Sequence, residues 1–319
     1  MHWLLASLLA GLLGPSEQQA AAWARIYAPI IIHDSQEPAP LTSVQALLAI
    51  GPTLQGRCAD GQVQRQQVNS PEALLQASQA LATANCLQDQ ALHFGKAIPA
   101  AEAVAYYHLR SEARFVTLQY WLFYTWNETG HLGGGPLVAS CANHEGDWEH
   151  ISLRLNRSQL EAAQSPADYR AAIDDIYLAG HARGNHRSWK YRRPNDPLLR
   201  FEGPRLTVFP SRGNHASYPA PGRWPLMTLA GLALADVSDG KGLRLDLSEG
   251  QLLPVTQMPW FGFAGRWGAV QNDHCNALES LTEAANDGVF GPGHAHKEAI
   301  LYDGDWSDHF RPSFTAGQP

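Results

Sequence analysis

The stretch Asn143-His144-Glu145-Gly146-Asp147-Trp148-Glu149-His150-Ile151 runs directly into Ser152-Leu153-Arg154-Leu155, where polar and apolar residues alternate. Alternation with a period of two marks a half-buried strand, because successive side chains leave opposite faces of the pleat. A strand beginning near Asp147 puts Asp147, Glu149, Ile151, Leu153 and Leu155 on one face, and Trp148, His150, Ser152 and Arg154 on the other. Two carboxylates then stand at the mouth of an apolar face, where solvation is poor and an uncompensated charge is costly. A divalent cation is the simplest remedy, with His144 reaching in from the preceding turn.

Other segments extend this β reading. Phe115–Tyr124 is aromatic and β-favouring, as a buried central strand is. Tyr27–Asp34, Ile176–Ala179, Leu206–Phe209 and Leu243–Leu247 are further short strand-like runs. Ser70-Pro71-Glu72 opens a helix running to about Leu87, with Ser as N-cap and Pro in the first turn. Ser158–Ala172 is a second, more polar helical stretch, and Gly and Pro are dense after residue 200. Short strands with long connections predict a mainly β fold, an antiparallel β-sandwich with helical insertions. With no linker, repeat or low-complexity tract in sight, residues 21–319 are expected to form a single domain with a helical insertion near 50–100.

The chain has 319 residues, of which 45% are apolar, and its first 14 residues form an apolar run. That run has the length of a signal-peptide core and is too short to span a bilayer. Residues 1–20 are read as a signal peptide, with Ala20, Ala21 and Ala22 suiting cleavage, so the protein is expected to be secreted or periplasmic. No later stretch has transmembrane length; Leu226–Val237 is apolar but about half as long as needed. Four cysteines fit two disulfides in an exported protein, and Cys58–Cys86 with Cys141–Cys275 is the preferred of three pairings. The net charge of −7 argues against nucleic acid and anionic lipid surfaces as partners. Oligomeric state is not readable.

The chemistry concentrates on His144, Asp147 and Glu149, with Asn127 completing the set. Oxygen-rich donors with one imidazole suit Mg²⁺, Ca²⁺ or Mn²⁺ better than structural zinc. The plainer alternative is a polar hydrogen-bond network at the start of a strand. His181, after Ile176–Leu178, and His215, in Ser211-Arg212-Gly213-Asn214-His215, sit beside glycines at strand ends. Each is a candidate general base or a structural histidine. A serine-hydrolase reading fails for lack of a Gly-x-Ser-x-Gly elbow.

Several of these segments together resemble the vacuolar protein sorting-associated protein 62 family. They are Tyr27-Ala28-Pro29, Tyr120–Tyr124, His144–Glu149, Ile176–His181, Gly213–Tyr218, Asp236–Gly240, Gly265–Gly268 and Gly291–Gly293, in that order. More distantly, Asn143–Glu149 is similar to the heptad Gly-His-Arg-His-Asp-Trp-Glu of the necrosis- and ethylene-inducing toxin-like proteins. That resemblance implies a secreted, disulfide-bonded β-sandwich holding a divalent cation through the positions His144, Asp147 and Glu149. It also implies an upstream ligand, here Asn127 in place of Asp, while Gly146 stands where the heptad has its second His.

The expected function is divalent-metal-dependent recognition of a glycan or lipid headgroup. The alternatives are a metal-dependent hydrolase with His181 or His215 as base, and an ion that is purely structural.

Overall fold

The computed structural model describes residues 14–86, 88–128, 143–179, 191–229, 232–268 and 291–293. Helix α1 (Glu17–Ile26) leads into β1 (Ile30–Ile32), and α2 (Val44–Ala49) follows. Next come β2 (Thr53–Arg57), β3 (Val63–Gln67), α3 (Pro71–Thr83) and β4 (Gln88–His93). Then β5 (Val104–Ser111), β6 (Phe115–Asn127), β7 (His144–Asn156) and β8 (Ile173–Leu178) form an antiparallel meander, with α4 (Arg157–Ala162) and α5 (Pro166–Ala171) between β7 and β8. The chain continues through β9 (Tyr191–Arg192), β10 (Arg200–Glu202), β11 (Arg205–Pro210) and β12 (Ser217–Tyr218). It ends in β13 (Gly222–Leu229), β14 (Leu232–Ser238), β15 (Arg244–Asp246) and β16 (Gln251–Pro254).

Two sheets make the sandwich. One has the order β16-β5-β6-β7-β8-β9; the other runs β10-β11-β1-β15, with β12 added to β11. Between them lies a core in which Tyr120, Leu122, Ile151, Leu153 and Ile176 of the larger sheet meet Ile31, Leu206 and Val208 of the smaller. The expected alternation holds: Trp121, Phe123 and Trp148 leave the opposite face of the larger sheet and pack with Trp260, Phe263 and Trp267 in a second core. The larger sheet is therefore covered on both sides. Its strands accordingly read as nearly continuous apolar runs, as fully buried strands do. Pairing is antiparallel except at β1–β11 and β5–β16, which are parallel.

The region near 50–100 differs from the expected helical insertion. It holds one helix, α3, capped as read by Ser70, whose side chain accepts from the Ala73 N–H. Around it stands a three-stranded sheet, β3-β2-β4. The glutamine-rich strands β2 and β3 carry too few apolar residues to announce themselves. The disulfide Cys58–Cys86 closes this unit as anticipated. The other expected pair, Cys141–Cys275, lies outside the described residues.

The stretch 158–172 breaks into α4 and α5 because Ser165 and Pro166 start a new helix with a capping box to Asp168. Of the apolar stretch Leu226–Val237, Leu226–Leu229 lie in β13 and Leu232–Val237 in β14, which pair antiparallel. Ala20–Ala22 lie within α1, which buries Trp23 and Ala24 in the inter-sheet core. Most of the expected signal segment lies outside the described residues. Among the described residues, no helix is long and apolar enough to cross a membrane.

Candidate functional site

Strand β7 begins at His144, earlier than the alternation suggested. Its register on β6 pairs Asp147 with Tyr124, Glu145 with Trp126 and His144 with Asn127. A strict pleat would send Glu145 and Asp147 to the same face. It does not, because Gly146 interrupts it with φ +66°. The Glu145 carboxylate instead accepts from the N–H groups of Phe94 and Gly95, beyond the end of β4. Trp126 likewise turns to that side, beneath the Lys96 ammonium. Past Gly146 the alternation runs in the opposite phase, which carries His144 and Asn127 toward the side of Asp147.

Asp147 faces the smaller sheet, which supplies its partner. His215 Nδ1 lies 2.8 Å from Asp147 Oδ2, and its Nε2 lies 3.3 Å from Glu37 Oε1. Carboxylates only accept, so both ring nitrogens donate and the ring is an imidazolium. His215 is fully buried, stacks on Tyr124 with centroids 3.8 Å apart, and has a left-handed backbone at φ +56°. Burial alone would lower its pKa, but Glu37 and Asp147 outweigh that and raise it to about 10. Glu37 is pushed up by burial and pulled down further by His215 and by the N–H groups of Gly213 and Ala39, so it stays below the usual carboxylate value.

A second polar group adjoins the first. Asn214 Nδ2 donates to Asp236 Oδ1 (2.6 Å), and the Tyr218 hydroxyl donates to Asp236 Oδ2 (2.7 Å). Burial, then Asp236 and Glu149, raise the Tyr218 pKa. Burial likewise raises Tyr124, followed by the charges of Glu37, Glu149 and Asp147. Two carboxylates, Glu37 and Asp147, thus engage one buried cation of the protein's own, while Glu149 and Asp236 act on the neighbouring tyrosines. His33 adds no second positive charge: burial lowers its pKa, and its nitrogens are used by Leu243 O and Leu41 N–H.

The Tyr124 hydroxyl stands outside this network. It is fully buried, feels three carboxylates, and has no hydrogen-bond partner among the described residues. Leaving such a group unsatisfied costs about 1–3 kcal/mol. An ordered water or the oxygen shell of a hard cation matches it. His144 Nδ1 donates to the Gly146 carbonyl oxygen at 2.7 Å. Among the described residues, no group of three or more His, Cys, Asp or Glu side chains is placed to hold a metal ion.

Of the residues singled out from sequence, His144, Asp147, Glu149, Asn127 and His215 fall in one region, while His181 lies outside the described residues. His215 is poorly placed as a general base, since both nitrogens already donate. Glu37, Asp236 and the Tyr124 hydroxyl were not anticipated. Only the Gly213-Asn214-His215 motif hinted that the smaller sheet contributes.

Comparison with known proteins follows the same outline. The sequence profile described as vacuolar protein sorting-associated protein 62 matches residues 9–284. No curated protein matches the chain. Among solved structures, NLPPya in complex with mannosamine is similar at 12% identity and TM-score 0.35, covering 85% of this chain and 92% of that one. Necrosis and Ethylene inducing Protein 2, from the causal agent of cocoa's Witches Broom disease, is similar at 13% identity and TM-score 0.36, covering 87% and 92%. The non-toxic HaNLP3 protein matches at 9% identity and TM-score 0.35, covering 77% and 79%. Likeness this weak carries no chemistry across.

Proposed function

The chain belongs to the vacuolar protein sorting-associated protein 62 family, and we propose that it is a binding protein that recognises a hydroxyl-rich ligand, a glycan or a lipid headgroup, through a hard divalent cation. One observation carries this reading: the orphaned, fully buried Tyr124 hydroxyl set among the charges of Glu37, Asp147 and Glu149. Asp147 and Glu149 would hold Mg²⁺, Ca²⁺ or Mn²⁺, with His144 Nε2 and the Asn127 carboxamide as further donors. A cation held there supplies a positive centre for ligand hydroxyl or phosphate oxygens. Beside it, Asn214 and Tyr218 both donate to the buried Asp236 carboxylate.

Binding is favoured over hydrolysis because His215, the described candidate base, is already doubly engaged by carboxylates. The Cys58–Cys86 disulfide and the apolar N-terminal run support export, since such bonds persist in oxidising compartments.

Calorimetry with Ca²⁺, Mg²⁺ and Mn²⁺ tests the cation. Saturable binding is expected, weaker by about tenfold or more in Asp147→Ala, a loss of about 1.4 kcal/mol. Equal affinity in variant and parent would sink the assignment. A glycan array and vesicles of defined headgroup, each read with and without EDTA, test the ligand. Ligand binding indifferent to chelation would separate recognition from the ion and leave the ion structural.

A further inference from the structure

We infer that the exported form of this protein begins at Trp23, its leader being removed by hydrolysis of the Ala22–Trp23 peptide bond. This deepens the export reading above, on which it rests, by naming the bond that is cut.

The sequence by itself leaves that bond open. Residues 3–13 are an apolar run of signal-peptide length, broken at Gly14-Pro15 and followed by the polar Ser16–Gln19 and then by Ala20-Ala21-Ala22. Leader peptidases read small side chains one and three residues before the cut, the pattern Ala-x-Ala. From Gly14 to Ala28, three bonds have Gly, Ser or Ala at both places: those after Ser16, after Ala22 and after Ala24. A cut after Ala20 or Ala21 would set Gln18 or Gln19 at the outer place.

The fold supplies the missing criterion, because the mature chain must keep what its core buries. From Ser16 to Ala22 every residue is exposed or half-buried, and burial begins at Trp23. Trp23 and Ala24 belong to the inter-sheet core, and the Ala24 carbonyl accepts from the buried Tyr120 hydroxyl at 2.8 Å. A cut after Ala24 would empty the Trp23 site and take away that hydroxyl's partner, and both losses are costly. A cut after Ser16 would leave Glu17–Ala22 as an exposed overhang. A cut after Ala22 removes only that overhang. Among the described residues, its one side-chain hydrogen bond beyond α1 is the exposed contact from Gln257 to Glu17. The bond from Tyr27 N–H to Trp23 O and the contact from Arg25 to Ser248 O both lie on the retained side. Ala20–Ala22 are helical in the folded chain, so the cut belongs to the unfolded chain during export. Water adds across the bond, leaving a carboxylate on Ala22 and an α-ammonium on Trp23.

Expression of the full chain in a bacterial and in a eukaryotic secreting host tests the assignment, with the exported protein read by intact mass and N-terminal sequencing. Trp23 is expected as its first residue. Ala22→Phe puts a large side chain directly before the cut, at a position the core does not use, and is expected to abolish the Trp23 terminus while uncut chain accumulates. An exported chain that begins at Glu17, at Arg25 or at any residue other than Trp23 would overturn the assignment and leave export standing. An Ala22→Phe chain still cut before Trp23 would do the same. Full-length chain retained in the cytosol of both hosts would overturn the export reading itself, and this terminus with it.

Discussion

Tyr124 and His215 lie face to face, their ring centroids 3.8 Å apart and their planes 8° from parallel. One ring comes from the larger sheet and the other from the turn between β11 and β12, so the stack is the point where the two layers of the sandwich meet the acidic cluster. Tyr124→Phe keeps the stack and removes the orphaned hydroxyl. In EDTA the variant is expected to be as stable as the parent or more so, by up to about 1 kcal/mol, because a buried unsatisfied group is gone. Its cation affinity is expected to fall severalfold. Urea denaturation and calorimetry read the two effects. A stability loss above about 1 kcal/mol would mean that the hydroxyl has a partner within the protein.

The disulfide Cys58–Cys86 joins residues 28 apart and closes the unit built on α3 and the sheet β3-β2-β4. The backbone there is tight: a Cβ on Gly56 would lie 2.1 Å from the Cys86 carbonyl oxygen. Loop-closure entropy for that span is worth roughly 3–4 kcal/mol. The double variant Cys58→Ser/Cys86→Ser is expected to lose stability on that order. The loss should be local, with amide exchange rising in residues 53–93 while β6 and β7 keep their protection. Uniform loosening of both sheets would instead make this unit part of the main cooperative core.

Arg205 and Asp246 clamp the smaller sheet by bridging β11 and β15 across β1. Arg205 Nη1 lies 2.5 Å from Asp246 Oδ2, and Ser248 donates to Oδ1 through both its N–H and its hydroxyl. Burial pushes the Asp246 carboxyl up, but Ser248 and Arg205 outweigh it and hold it below its ordinary value. A carboxyl depressed on folding contributes stability that is fully present above its unfolded pKa and is lost as the pH falls through the folded value. The Asp246 contribution is therefore expected to be complete above about pH 4 and to fall away below it, so the acid limb is shallower in Asp246→Asn. Urea midpoints across that range check it, and parallel curves for variant and parent would contradict it.

How much of this was legible in the sequence follows from which contacts are local. Strands β6 and β7 announced themselves because buried β-sheet residues alternate or run apolar, and Asp147 and Glu149 share a face for that reason alone. The cap of α3 was equally plain in Ser70-Pro71. Glu37 and Asp236 carried no such mark. Each sits in an ordinary polar context, and only contacts far apart in sequence bring Glu37 to His215 and Asp236, on β14, to Asn214. A buried carboxylate needs compensation, for which the sequence suggested a divalent cation, and periodicity along one strand cannot show that another layer supplies an imidazolium. The unit around β2–β4 was missed for a different reason: its strands bury few side chains, so their pattern is weak.

Gly146 stands where the toxin-like heptad has a second histidine, and the structure shows why a side chain is excluded here. Its φ of +66° is left-handed, and a Cβ on it would lie 2.2 Å from the Trp267 carbonyl oxygen. The approach is mutual, since a Cβ on Gly268 would lie 1.7 Å from the Glu145 carbonyl oxygen. Gly146→Ala therefore combines backbone strain of about 1–3 kcal/mol with a collision against main chain that cannot swing aside. A loss of at least about 2 kcal/mol is expected in chemical denaturation. Gly146→Asn is the sharper probe, because Asn accepts a left-handed φ and leaves only the collision. It is expected to remain destabilised and to weaken cation binding, since the segment at Trp267 must move and the phase change that brings His144 toward Asp147 moves with it. An Asn variant as stable as the parent would show that the Trp267 segment yields readily, and the kink would then owe its glycine to backbone conformation alone.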